Sequence, residues 1–370
     1  MSNNSSRRKF LHNLGLAGLS IPFMSATNHL NTFSFMNNNK KEGKLGVALV
    51  GLGSYASGPL ATGLQQTEHC YLAGIVTGTP SKAETWKAKY NIPEKNIYNY
   101  ENFDSIKDNP DIDIVYVVLP NSMHAEYTIR AAKAGKHVIC EKPMALNVEE
   151  CDSMIAACKK AGKMLSIGYR LHFDPYHLEV ARIGQQKVYG DIKKINAAFS
   201  FVAKKGEWRL DKKRSGGGPL MDLGIYCLQA VCYATGKEPI AVTAQTFPIS
   251  DKEKFVEIEE TLAFQMEMPN GVIGECRTSY SENMNLLKVE TEKGMVELQP
   301  GFNYGGIKGK TPDGTLQFAA MSQQAKQMDG FALSVKNKQP SIVPGEMGKR
   351  DVKIITAIYE AMRTGKRVMV

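Results

Sequence analysis

Three side chains of this 370-residue chain stand where chemistry could be done: Lys142, Asp222 and Tyr226. Lys142 lies in "CEKPMAL", where a charged pair follows an apolar run directly. Pro143 cannot continue a strand ladder, so a strand must stop there, and its ring holds the lysine in one orientation. Asp222 and Tyr226 are four residues apart in "SGGGPLMDLGIYCLQ", just after the run Gly216–Gly218. Pro219 suits the first turn of a helix, and residues spaced i, i+4 share one helix face. A free phenol has a pKa of about 10 and takes protons near neutrality only beside a cation. An ammonium and a phenol meeting at one hydroxyl could therefore move its proton, while a carboxylate orients neighbouring hydroxyls and keeps the lysine charged. Each feature also has an ordinary alternative. Lys142 could face solvent in a turn. Asp222 and Tyr226 could be incidental on a helix whose Leu220, Met221, Leu223, Ile225 and Leu228 form the core side.

The elements around these residues favour a site. "LGVALVGLGSYA" runs a continuous apolar strand into Gly51-Leu52-Gly53-Ser54-Tyr55-Ala56, the dinucleotide pattern G-x-G-x-x-G/A. Gly51 permits the tight turn, Gly53 the approach of a pyrophosphate, and Ala56 close packing of a helix whose N-terminus faces the anion. A helix (Gly58 to Gln66) and a second strand (Tyr71 to Val76) complete the expected unit. In NAD-binding units a carboxylate ends that second strand. Here "IVTGTPSKAE" places Thr77 there, with Ser81 and Lys82 following. A hydroxyl and a cation suit a 2′-phosphate better than a diol, which favours NADP over NAD.

Further strands are expected from Ile112 to Leu119, His137 to Cys140 and Met164 to Gly168, with helices from His124 to Ala134 and Val148 to Ala161. Ligands sit beyond the carboxyl ends of such strands. Ser54, Tyr55, Leu119, Pro120, Asn121, His124, Glu141, Lys142 and Arg170 are thus candidate cofactor contacts, and Tyr169 and His172 candidate substrate contacts. His124 is equally well a surface residue at a helix start. After Gly190 the texture changes. "TLAFQMEMPNGVIGECRTSYS" and "LLKVETEKGMVELQP" each read as two strands joined by a turn. Leu262, Phe264, Met266 and Met268 alternate with polar residues, the mark of a one-sided antiparallel sheet. The fold class is α/β plus α+β: a Rossmann domain over 44–168 and a domain with a mostly antiparallel open sheet over 169–370.

Bulk properties fit a globular enzyme. Of the formal charge of +9, Arg7, Arg8 and Lys9 supply three, leaving 9 − 3 = +6 without the N-terminus. No basic run is interleaved with aromatics, so the charge reads as a solvated surface rather than a nucleic-acid site, with a few cations free to meet an anionic cofactor. The seven cysteines are odd in number and lack a CxxC pair. They read as small buried hydrophobes rather than metal ligands, with a disulfide left open. Residues 1–26 open with paired arginines before a short, weakly apolar, glycine-containing run, as in a twin-arginine export signal. The run is too short for an ordinary membrane span, and both cleavage and retention of the leader stay open. Residues 27–43 read as an arm or linker. The expected location is periplasmic.

Five stretches together resemble the glucose–fructose oxidoreductase / inositol dehydrogenase (Gfo/Idh/MocA) family, most nearly its glucose–fructose branch. They are "VGLGSYA", "LPNSMHAEYTIRAAKAGKHVICEKPMA", "GYRLHFDP", "SGGGPLMDLGIY" and "DVKIITAIYEAMRTGKRV". The resemblance implies catalysis by Lys142 and Asp222, with Tyr226 where many relatives carry histidine. It implies reversible hydride transfer between a sugar and NADP, and a homo-oligomer, dimer or tetramer, built through the C-terminal sheet. It agrees with the twin-arginine leader. Two rivals share the fold: a hydrolase using bound NAD for transient oxidation, against which the intact EKP lysine weighs, and a non-catalytic sugar or nucleotide sensor.

Overall fold

The computed structural model describes residues 41–370. The leader and most of the arm expected for residues 1–43 lie outside the described residues. Six strands form the first sheet: β1 (Leu45–Val50), β2 (Cys70–Val76), β3 (Ile97–Tyr98), β4 (Ile114–Val117), β5 (His137–Cys140) and β6 (Leu165–Ile167). All pair in parallel, in the order β3-β2-β1-β4-β5-β6. This is the doubly wound dinucleotide-binding order. Parallel strands are covered on both faces, which is why β1, β4 and β5 read as near-continuous apolar runs. The covering helices are α1 (Ala61–Leu64), α2 (Pro80–Tyr90), α3 (His124–Lys133) and α4 (Val148–Lys160).

The register aligns the strand ends. Val50 sits opposite both Val76 and Val117, Val117 opposite Cys140, and Cys140 opposite Ile167. Gly51, Thr77, Glu141 and Lys142 therefore emerge along one edge of the sheet, where the strand order reverses and ligands bind.

The chain then crosses through α5 (Pro175–Gln185), where Asp174 caps the helix by accepting from Tyr176 N–H, to β7 (Ile192–Ser200). The helical segments α6 (Lys212–Ser215) and α7 (Ile225–Thr235) follow, and then β8 (Ala241–Thr246), β9 (Thr261–Glu267), β10 (Ile273–Ser279), β11 (Met284–Thr291) and β12 (Gly294–Leu298). The short strands β13 (Gly309–Thr311), β14 (Gly314–Leu316) and β15 (Val368–Met369) complete a second sheet of nine strands, and α8 (Gln323–Asn337) and α9 (Gly345–Thr364) close the chain. Its one parallel pair is β7 with β10; the other pairs are antiparallel.

On β9, Leu262, Phe264 and Met266 are buried and Gln265 is exposed, the one-sided pattern their alternation predicts. One apolar cluster runs from Val50 and Val117 through Ile167 to Leu228, Phe264 and Ile358. The two sheets thus share a core. All seven cysteines are buried with free thiols, as small hydrophobes. No helix among the described residues is long and apolar enough to cross a membrane.

Candidate active site

Gly51 and Gly53 shape the loop after β1. Gly51 has φ of +92°, and a Cβ there would stand 2.5 Å from the Val118 carbonyl oxygen, so only glycine fits. A Cβ on Gly53 would meet nothing within 4 Å. The backbone there faces open space, as it must if a phosphate is to approach. The next turn, Ala56–Leu60, is π-helical around Pro59 before α1 begins. The loop fronts a cavity of about 570 Å³.

Eleven of the residues expected at the cofactor line that cavity: Gly51, Gly53, Ser54, Tyr55, Thr77, Lys82, Leu119, Pro120, Asn121, Glu141 and Lys142. Three do not. Ser81 is exposed on the first turn of α2, outside the lining. His124 is fully buried, with Nδ1 2.8 Å from the Pro143 carbonyl oxygen and Nε2 2.9 Å from that of Leu119. It ties the β4 loop to the turn after Lys142, and burial lowers its pKa. Arg170 lines a second cavity instead, of about 910 Å³, bounded by the second sheet. Arg170 is 2% exposed, and its guanidinium donates to the carbonyls of Phe302 and Asn303, to Gln323 Oε1, and to Tyr226 Oη at 3.3 Å. It packs on Tyr226 and on the ring of Tyr304, 4.5 Å away, two residues that line the cofactor cavity.

Tyr169 and His172, expected at the substrate, lie behind the site and outside the lining of the large cavity. His172 Nε2 is 2.6 Å from Gln229 Oε1, and Gln229 donates to the buried Asp351. Glu141 lines the cofactor cavity, yet its carboxylate accepts from Tyr116 Oη at 2.6 Å, and burial raises its pKa.

Lys142, Asp222 and Tyr226 do converge. Lys142 Nζ donates to Asp222 Oδ1 at 2.9 Å and to the Asp222 carbonyl oxygen at 2.7 Å, and lies 4.8 Å from the centre of the Tyr226 ring. Burial opposes the ammonium charge, but Asp222 outweighs it, and the Lys142 pKa rises above its ordinary value. The other Asp222 oxygen, Oδ2, accepts from Arg209 Nε and from Tyr280 Oη, each at 3.1 Å. Burial raises the Asp222 pKa, yet Lys142 and Arg209 prevail and hold it down to about 2. Each of its oxygens thus holds one cation, and Asp222 lines both cavities. Asp222 lies in a π-helical turn, Leu220–Gly224, that precedes α7. Such single turns recur at functional sites.

Four side chains line both cavities: Lys142, Asp222, Tyr226 and Tyr304. They mark where the two compartments meet. Tyr304 packs on Tyr55 of the glycine loop, ring centres 5.5 Å apart. It escaped the sequence reading, as did Arg209, Tyr280, Trp208 and Arg214, because all lie in segments without a motif. The one available signal was the basic cluster Lys212–Lys213–Arg214, whose Arg214 lines the cofactor cavity.

Residues 45–169 match the family model for the GFO/IDH/MocA oxidoreductases with an NAD-binding Rossmann fold, and residues 177–297 match the GFO/IDH/MocA C-terminal domain. The chain belongs to the GFO/IDH/MocA family. Among solved structures of this family, the aldose-aldose oxidoreductase of Caulobacter crescentus is 41% identical with a TM-score of 0.86, over 88% of this chain and 100% of that one. The D-xylose 1-dehydrogenase [NADP(+)] of Haloarcula marismortui is 27% identical over 335 residues, 87% of this chain and 92% of that protein. The D-glucoside 3-dehydrogenase of Escherichia coli is 28% identical over 281 residues, 69% and 79% of the two chains.

A GFO/IDH/MocA oxidoreductase implies a nicotinamide dinucleotide, and the residues fit one. The glycine loop leaves room for the phosphates, and Lys82, Arg214 and Lys142 bring positive charge to the cavity. Around Thr77, the lining residues Gly78, Thr79, Lys82 and Tyr100 include no carboxylate. Among the described residues, no group of three or more His, Cys, Asp or Glu is placed to hold a metal ion.

Proposed function

We propose that the protein is an NADP-dependent oxidoreductase that transfers hydride between a sugar and nicotinamide. The observation that carries this is the meeting of the two cavities at Lys142, Asp222, Tyr226 and Tyr304. The compartment fronted by the glycine loop takes the dinucleotide. The other takes the sugar: Asn283, Asn285, Gln299 and Asn303 offer amides to hydroxyls, and Phe199, Phe201 and Tyr304 offer ring faces to the apolar side of a sugar. Relatives whose names give aldose, xylose and glucoside as substrates support the sugar. Thr77 in place of an acid, with Lys82 beside it, supports NADP.

A bound nicotinamide supplies the carbon that accepts or returns the hydride. The protein's part is to hold the carbinol and move its proton. Two hydrogens of the Lys142 ammonium go to Asp222, which leaves the third for the reacting oxygen. Tyr226 is the group that exchanges the proton, with Lys142 over its ring and Arg170 donating to its oxygen. Arg170 makes no ion pair with a carboxylate among the described residues, so its charge is available to that oxygen.

Mixing the protein with NADP⁺ and a panel of aldoses, and following reduced nicotinamide by absorbance, tests the reading. Reduction by at least one aldose, lost in Lys142→Met while NADP⁺ still binds, is the expected result. Tight sugar binding with no change in nucleotide redox state, or activity retained in Lys142→Met, would overturn it. We further propose assembly through the open face of the nine-stranded sheet, and export by the residue 1–26 leader.

A further inference from the structure

The half-buried carboxylate of Glu259 takes no part in the proposed reaction. Glu259 immediately precedes the last residue before β9, and its carboxylate reaches back to the start of the turn that carries Asp222. Oε2 accepts from the N–H of Gly218 at 3.0 Å, and Oε1 accepts from the N–H of Leu220 at 3.1 Å. The residue between them, Pro219, has no N–H. The carboxylate thus takes both donors that these three residues offer, a capping role supplied from a distant segment. Tyr359 on α9 donates its hydroxyl to Oε1 at 3.0 Å, which fixes the carboxylate in turn.

The glycine run is shaped to this contact. A Cβ on Gly217 would stand 2.0 Å from Tyr359 Oη, and one on Gly218 would stand 2.4 Å from the Glu259 carbonyl oxygen. Side chains there would push the clamp off the backbone. What the clamp holds is the backbone of the π-helical turn. Lys142 Nζ makes one of its two bonds to the carbonyl oxygen of Asp222 in that turn, so its position depends on where the turn sits.

We propose that Glu259, braced by Tyr359, is a positioning residue: it sets the Leu220–Gly224 turn so that Asp222 presents both its carbonyl and its carboxylate to Lys142. This rests on the reading that Lys142 and Asp222 serve the reaction. Glu259 touches neither cavity lining, and it acts only through the turn.

The test compares Glu259→Gln and Tyr359→Phe with wild type and with Lys142→Met, in the full-length protein. In Glu259→Gln kcat should fall about ten- to a hundredfold, while NADP⁺ affinity and melting temperature stay near wild type. Amide hydrogen exchange should speed up over residues 216–224. Tyr359→Phe leaves the two backbone bonds in place and should show a smaller loss in the same direction. Wild-type kcat in Glu259→Gln, with Lys142→Met inactive, would overturn the positioning role and leave the proposed function standing. A kcat loss matched by an equal loss of NADP⁺ binding, or without faster exchange at 216–224, would also overturn it. Activity in Lys142→Met would instead overturn the reading on which it rests.

Discussion

At the scale of single residues, the site is a chain of charges with few free partners. Asp222 binds Lys142 and Arg209 at once, and its pKa of about 2 keeps it ionised across the neutral range. Asp222→Asn would leave Lys142 without its carboxylate partner, while Arg209 keeps Glu207; the expected outcome is a lower denaturation midpoint together with a large loss of kcat, and wild-type kcat would contradict the role given to the pair. Lys82 belongs to the other end of the cleft. Its ammonium donates to the Leu52 carbonyl oxygen at 3.2 Å and lines the cofactor cavity. Lys82→Ala should weaken NADP⁺ binding about ten- to a hundredfold, the worth of one charge-assisted contact, and change NAD⁺ binding little. Titration of both nucleotides checks this, and equal losses for the two would show that Lys82 does not meet the 2′-phosphate. Lys142, Asp222 and Tyr226 were legible in the sequence because proline and glycine mark the turns that present them. His124 and Arg170 lie outside the lining of the cofactor cavity because strand-end position says which edge a residue occupies, not which way it points. His124 turns inward to two carbonyls, and Arg170 turns to the second sheet.

At the scale of elements, hydrophobic period was a good guide wherever one face is apolar. The expected strands from His137 to Cys140 and through "TLAFQME" match β5 and β9. Helix α8 was missed for a physical reason. Its Gln323, Gln324 and Gln327 look like solvent residues but are buried, with Gln323 bonded to Arg170 and Asp174 and Gln327 to Tyr116. A polar core face is invisible to a pattern that equates polar with exposed. The π-helical turns were equally hidden, since Pro219 and Pro59 mark helix starts and not their period. The glycine run is the most sensitive element. Gly217→Ala places a methyl 2.0 Å from Tyr359 Oη, and such overpacking costs about 1–3 kcal/mol. The expected outcome is a lower denaturation midpoint together with a lower kcat. An unchanged midpoint would show that α9 gives way freely.

At the scale of the whole molecule, four histidines are held away from their charged form. Burial lowers the pKa of His124 and His172, lowers that of His137 to about 4 with help from Lys163, and lowers that of His177 to about 3. His177 sits between Tyr233 Oη and the Gly301 carbonyl oxygen, joining α5, α7 and the loop before β13. An unfolded histidine titrates near pH ~6.5. Folded values below it mean that this stability is present above that pH and is lost as pH falls from there toward 3–4. His177 alone contributes a slope of up to about 1.4 kcal/mol per pH unit in that window. Thermal unfolding should therefore move down between about pH 6.5 and 4.5, and His177→Gln should make the decline shallower. A flat melting temperature across that range would contradict the burial of these rings.

The measurement that bears most directly on the central claim is deuterium transfer. The protein is incubated with NADP⁺ and an aldose that it oxidises, deuterated at every carbon, and the nucleotide is recovered. Deuterium on the reduced nicotinamide from the wild-type protein, and none from a Lys142→Met protein that still binds NADP⁺, is the predicted result. Reduced nucleotide without deuterium, or label transferred equally by both proteins, would contradict direct transfer at the junction of the two cavities.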